Sequence, residues 1–168
     1  GSKYGIERKY TKKLKKQLYL LNITGISRNL SVKSLINNLL FPIRFITSYI
    51  RSIIIINKIK PNIIIGTGGY SSGIPILAGK LLNIKYVLHE QNSHPGITTK
   101  YLSKRAEKIF ISYDATKKHI SNQNHLLTGN PIRESLIAID RKKACKQLGI
   151  DSNKKIIFIL GGSQGSRP

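Results

Sequence analysis

The chain has 168 residues, one cysteine, no methionine and a hydrophobic fraction of 40%, which excludes a disulfide scaffold and a globally disordered polymer. Its 29 Lys and Arg against 7 Asp and Glu leave a net charge of +22. That excess suits a polyanionic partner such as nucleic acid, anionic lipid or a phosphorylated substrate, although Ile (29), Lys (21) and Asn (12) are so abundant that A/T-rich codon usage is expected as its main source.

A basic polar stretch over 3–16 leads to QLYLLNI (17–23), which reads as a strand, and a loop at 24–31 ending on Ser31, a suitable N-cap. From Val32 to about Lys58 the pattern is helical and very apolar, and Pro42 is expected to kink or split it. The run from Leu39 to Ile59 has a spanning length. Arg44 and Arg51 inside it argue for a helix half buried in protein, because a charge at the centre of a spanning helix costs roughly 2.5–3.5 kcal/mol. NIIIG (62–66) reads as a strand covered on both faces. A glycine loop follows at 66–73, then a helix at 74–82 with proline in its first turn. IKYVLH (84–89) is a second strand, 90–97 a polar loop, 98–106 a helix, EKIFIS (107–112) a third strand and HLLT (125–128) a fourth. A charged helix over 134–148, capped by Gly149, precedes the strand KKIIFIL (154–160).

Short apolar strands alternating with helices predict an α/β fold with a Rossmann-like parallel sheet and flanking helices. Such sheets bind ligands at the carboxyl ends of their strands. GTGGYSSG, HEQN and GGSQG each follow a strand there. The first lacks the third glycine of the dinucleotide fingerprint and the GK[ST] of a P-loop, but its glycines let backbone N–H groups and a helix N-terminus meet a phosphate. Gly69-Tyr70-Ser71-Ser72-Gly73 also fits GxSxG, which makes a hydrolase with Ser71 as nucleophile, and Asp114 with His119 or His125 as its partners, one alternative. HEQNSH is not HExxH, and no metal-ligand cluster or cofactor is expected. Glu90, Gln91 and Asn92 instead offer hydrogen bonds to hydroxyls and amides. Thr128-Gly129-Asn130-Pro131-Ile132 is a turn with Arg133 at its exit, a side chain suited to phosphate, and Ser163 sits in a second glycine loop. A non-catalytic nucleic-acid-binding module is a further alternative; the dispersed lysines and only 8 Tyr and 4 Phe count against it.

GTGGYSSG, HEQNSHPG, TGNPIR and ILGGSQGS, in that order, resemble the MurG family from about Gly1 to Arg167. The resemblance implies a GT-B type glycosyltransferase built of two Rossmann-like halves. Its reaction transfers GlcNAc from UDP-GlcNAc to lipid I, an undecaprenyl-diphosphate-linked muramyl pentapeptide, forming lipid II for peptidoglycan. By position, Asn92, Arg133 and Ser163 match donor-binding residues, Gly68, Gly69, Tyr70 and Ser72 match an acceptor-diphosphate loop, and Glu90 and Gln91 match cleft residues. Leu39, Ile43, Ile46 and Tyr49 with Arg44 and Arg51 match a patch resting on an anionic membrane surface. The implied location is peripheral, on the cytoplasmic face of the bacterial plasma membrane, with no nucleic acid partner. The family's first strand and GGTGGH loop are expected before Gly1, and most of the donor domain beyond Pro168. The expected domains are therefore 1–133, for acceptor and membrane, and 134–168, a linker helix and the first donor-domain strand. A piece of this extent is expected to be inactive alone.

Overall fold

The computed structural model describes residues 1–5, 8, 17–27, 31–121 and 123–159. The first compact unit runs from Gly1 to Asn130. Its centre is a sheet of four parallel strands in the order β1 (Ile63–Gly66), β2 (Lys85–Glu90), β3 (Lys108–Ile111), β4 (His125–Leu127). Parallel neighbours require crossovers, and helices α3 (Tyr70–Leu81) and α4 (Ile97–Ser103) supply two of them. The crossover from β3 to β4 carries a 3₁₀ helix (Asp114–His119) that the apolar pattern did not signal.

Helices α1 (Val32–Leu39) and α2 (Phe41–Ile59) precede the sheet. The expected split at Pro42 is present, with proline in the first turn of α2, where its missing N–H has no partner to lose. Ser31 caps α1 by accepting from Ser34 N–H. α2 turns its buried side, Ser48, Ser52 and Ile56, inward. No helix among the described residues is long and apolar enough to cross a membrane.

Two packed clusters hold this unit together. Ile76, Tyr86, Leu88, Leu102, Ile109 and Ile111 fill the space between α3, α4 and the sheet. The buried Tyr86 hydroxyl donates to Leu102 O at 2.7 Å, and burial raises its pKa above the ordinary tyrosine value. Leu21, Ile23 and Ile74 form the second cluster under Phe41, Phe45, Tyr49 and Tyr70. Close approach of α3 to β1 needs glycine at 66: a Cβ there would lie 2.3 Å from Ile76 Cδ1 and 3.0 Å from Leu88 Cδ2.

Several expected elements differ. Residues 17–23 make no strand; Leu21 forms only an isolated parallel bridge with Ser2, because residues 1–3 are the sole backbone aligned with it among the described residues. β1 is not covered on both faces, since Ile63 and Ile65 are exposed. α3 begins four residues earlier than expected, so Pro75 lies inside it. The reason is Gly69, whose φ of 74° turns the chain into the helix at Tyr70, with Gly73 N–H donating to Gly69 O at 3.0 Å.

A second unit begins at Pro131. The expected helix over 134–148 is two helices, α5 (Glu134–Ile137) and α6 (Arg141–Leu148), because Asp140 takes extended backbone and restarts the helix. Gly149 closes α6 with φ 66°, and its N–H donates to the last carbonyls. Residues 154–159 form no strand, and Ile157, Phe158 and Ile159 are 79–90% exposed. A strand exists only through a neighbouring ladder, and none among the described residues pairs with this segment.

Candidate functional site at the carboxyl edge of the sheet

The register sets the site. Gly66 pairs with Leu88, so β2 runs two residues past β1 and carries His89 and Glu90 beyond it, while Glu90 aligns with Ile111 and Ile111 with Leu127. The loops leaving β1, β2, β3 and β4 therefore open along one edge.

After β1, Gly68 (φ 86°) and Gly69 (φ 74°) both take the left-handed conformation that glycine adopts without strain. They deliver the chain into α3, whose N-cap Gly69 has no side chain to satisfy the first-turn donors. Ser72 N–H donates to Gly69 O at 3.3 Å, whereas Tyr70 N–H and Ser71 N–H precede the first intrahelical bond, and the helix dipole favours an anion beside them. Ser72 Oγ, in the same turn, is buried with no hydrogen-bond partner and lies back against Gly66, 3.0 Å from the position of a Cβ there. The Tyr70 ring faces the other way, meeting Phe41 edge-on at 5.6 Å and lying 3.3 Å from the position of a Cβ on Gly25, so its backbone rather than its phenol belongs to the loop.

After β2, alternate residues face opposite ways and are wired differently. Glu90 is 2% exposed, and its Oε1 accepts from Asn92 N–H (3.1 Å) and Asn92 Nδ2 (3.0 Å), which folds the loop back and presents Asn92 to solvent. Thr116 Oγ1, fully buried in the 3₁₀ helix, donates to Asn92 O at 2.9 Å. His89 Nε2 lies 3.2 Å from Gly129 O, and Gln91 Nε2 lies 3.0 Å from His89 Nδ1. Gln91 Oε1 lies 3.8 Å from the position of a Cβ on Gly68. The glycine loop and the HEQN loop thus share one small space. Beyond β3, Ser112 Oγ donates to Asn130 Oδ1 at 2.7 Å, tying the TGNP turn to the same edge.

The structure brings Gly68, Gly69, Ser72, Glu90, Gln91 and Asn92 together, with Tyr70 contributing backbone. Arg133 is exposed in the second unit, at the N-cap of α5, and Ser163 lies outside the described residues. The apolar patch divides: Leu39, Ile43 and Ile46 are 80%, 61% and 57% exposed, whereas Tyr49 is half-buried and stacks on Phe45 at 6.3 Å, turned toward α3. Arg44 donates to Asn37 Oδ1 at 3.2 Å and sits 5.7 Å from the Tyr4 ring; Arg51 is exposed.

The alternative nucleophile fares poorly. Asp114 pairs with Lys117 at 2.5 Å, and that hydrogen-bonded lysine holds the carboxyl below its ordinary value. His119 packs against His94 with ring centroids 4.4 Å apart, and Ser71 is the second residue of α3. Among the described residues no hydrogen bond joins Ser71 to an acid or a histidine.

Sequence reasoning missed His89 as an organiser and missed Thr116 altogether. His89 stood in the motif, but its ring contact with Gly129 depends on a residue forty positions away. Thr116 carries no sequence signal.

A parallel α/β sheet with a glycine loop suited to phosphate and a polar loop suited to hydroxyls at its carboxyl edge fits the Rossmann-like half of a GT-B type glycosyltransferase, the class to which its family and its structural relative assign it. The N-terminal-domain model of glycosyltransferase family 28 matches residues 1–111, and the chain belongs to that family. It is 41% identical over 149 residues to a UDP-N-acetylglucosamine–N-acetylmuramyl-(pentapeptide) pyrophosphoryl-undecaprenol N-acetylglucosamine transferase of Flavobacterium psychrophilum, covering 88% of this chain and 40% of that one. The Bacillus pumilus protein of the same name is 35% identical over 168 residues, 100% of this chain and 45% of that one. The crystal structure of Acinetobacter baumannii MurG superposes with a TM-score of 0.61 at 25% identity, covering 78% of this chain and 36% of that one. The chain spans rather less than half the length of these relatives.

Proposed function

We propose that this chain supplies the acceptor-binding part of a transferase that moves GlcNAc from UDP-GlcNAc to lipid I, forming lipid II for peptidoglycan. The single observation that carries the reading is the uncapped first turn of α3 behind Gly68 and Gly69, set beside Gln91. Backbone donors of the glycine loop and of the first turn of α3 suit a diphosphate, and the HEQN side chains suit sugar hydroxyls and amides. The names of the relatives give the donor and acceptor that such an edge would serve.

In this reaction the muramyl 4-hydroxyl oxygen attacks the anomeric carbon of GlcNAc. A C–O bond forms there as the bond to the diphosphate breaks, UDP leaves with the electron pair, and a base removes the hydroxyl proton. Donors aimed at the phosphates stabilise charge as it develops. Asn92, Arg133 and Ser163 are proposed to contact the UDP-sugar. Gly68, Gly69, Tyr70 and Ser72 meet the acceptor diphosphate, and Glu90 holds Asn92 in place. Residues 1–133 form the acceptor and membrane part, and 134–168 begin the donor part.

The site would work as a peripheral protein on the cytoplasmic face of the plasma membrane. Exposed Leu39, Ile43 and Ile46, with exposed Arg51 further along α2, support that placement: the apolar groups suit the interface and the cation suits anionic lipid. The test replaces the matching segment of the Bacillus pumilus relative with this chain and measures transfer of labelled GlcNAc to lipid I. Transfer is expected, and Asn92→Ala or Arg133→Ala should each lower it sharply. Full rates in both variants would remove these residues from the donor site.

A further inference from the structure

Both ring nitrogens of His89 are engaged, and their partners determine each other. Nε2 faces Gly129 O at 3.2 Å, and a carbonyl only accepts, so Nε2 carries the ring proton. In the neutral ring Nδ1 is then an acceptor, and Gln91 Nε2 at 3.0 Å donates to it. The same Gln91 nitrogen lies 3.3 Å from His89 O, a second acceptor. Turning the carboxamide round would set its oxygen against both. The nitrogen end of Gln91 is therefore fixed, and with it the oxygen end.

That oxygen faces the glycine loop. A Cβ on Gly68 would stand 3.8 Å from Gln91 Oε1 and 3.9 Å from Thr99 Oγ1. The edge thus has two chemically opposite ends. At the first turn of α3 the backbone presents N–H donors suited to phosphate oxygens. On the Cβ side of Gly68 a held carbonyl oxygen repels a phosphate and accepts from an O–H or N–H, which leaves the N–H groups of the loop to the diphosphate.

We propose that His89 is a positioning residue that locks the Gln91 carboxamide with Oε1 toward Gly68, where it accepts a hydroxyl of the acceptor sugar while the diphosphate lies against α3. This rests on the acceptor reading above and adds the direction in which the acceptor lies. The sugar sits on the β2 side and the diphosphate on the α3 side.

The test compares two probes on the chain itself, inorganic diphosphate and N-acetylmuramyl diphosphate, which differ by the sugar. Nitrogen-15 NMR should find Nε2 of His89 protonated and Nδ1 bare. His89→Gln keeps an amide donor for Gly129 but removes the Nδ1 acceptor. It should weaken muramyl diphosphate about tenfold, the size of one lost hydrogen bond, and leave inorganic diphosphate within about twofold. Gln91→Leu should show the same selectivity. A protonated Nδ1, equal losses for both probes, or no loss for either overturns the proposal. If the unsubstituted chain binds neither probe, the acceptor reading itself fails and the proposal with it. If it binds both with equal affinity, the acceptor reading stands and the proposal alone falls.

Discussion

Replacing Gly66 by alanine tests how closely α3 lies on β1, the contact that aims the glycine loop. The new methyl would lie 2.3 Å from Ile76 Cδ1 and 3.0 Å from both Leu88 Cδ2 and Ser72 Oγ. Carbon atoms pack at about 3.5–4.0 Å, so the Ile76 terminus must move by more than about 1 Å. Ile76 is fully buried and Leu88 nearly so, which leaves little room to give way. Overpacking of this kind costs roughly 1–3 kcal/mol. Alanine recovers about 0.4–1 kcal/mol by restricting the unfolded chain. The net expectation is a loss of about 1–2 kcal/mol, read as a lower urea midpoint by far-ultraviolet circular dichroism. Gly96→Ser is the control: Gly96 is the N-cap of α4, with φ −65°, and nothing lies within 4 Å of its Cβ position. A serine there should be neutral or stabilising by a few tenths of a kcal/mol. An unchanged midpoint for Gly66→Ala, or an equal fall for Gly96→Ser, would refute the steric argument.

Three further outcomes are expected. Thr116→Val removes the buried donor to Asn92 O and should cost about 1 kcal/mol, with faster amide hydrogen exchange at 91–94 than in the parent. The His119 imidazole is held below its ordinary value, first by loss of water and then by His94, Lys100 and Lys118. The folded chain therefore binds fewer protons there than the unfolded chain. Its neutral ring is stable above about pH 6.5, the ordinary histidine value, and stability falls as pH drops below that toward the lower folded value. Urea midpoints at pH 7.5 and 5.5 should diverge less in His119→Asn than in the parent. Finally, Ile43→Asp with Ile46→Asp should cut sedimentation with anionic vesicles at least about tenfold, since each exposed side chain contributes roughly 1.5–3 kcal/mol when buried. Unchanged binding would remove α2 from the membrane reading.

The sequence by itself determined the strand–helix alternation from residue 62 through the fourth strand, the break at Pro42, the caps at Ser31 and Gly149, and the three motifs that follow β1, β2 and β4. Each depends on local chemistry: apolar runs, proline geometry, a side-chain oxygen beside an N–H, or a glycine at positive φ. It was less exact where an element depends on a neighbour. QLYLLNI and KKIIFIL have ideal strand composition, yet 17–23 make one bridge and 154–159 none, because β structure exists only between two chains of backbone. Gly69 was legible as a loop residue, but its role in starting α3 at Tyr70 was not, since that depends on the torsion it adopts.

Only the tertiary structure decided how the candidate site is wired. The two-residue overshoot of β2 past β1 comes from sheet register and sets Gln91 beside Gly68. The orientation of the Gln91 amide follows from His89, and that of His89 from Gly129, a carbonyl on another strand's turn. Residue types named the chemistry available at this edge. Contacts between positions far apart in the chain set which atom of each side chain faces the ligand.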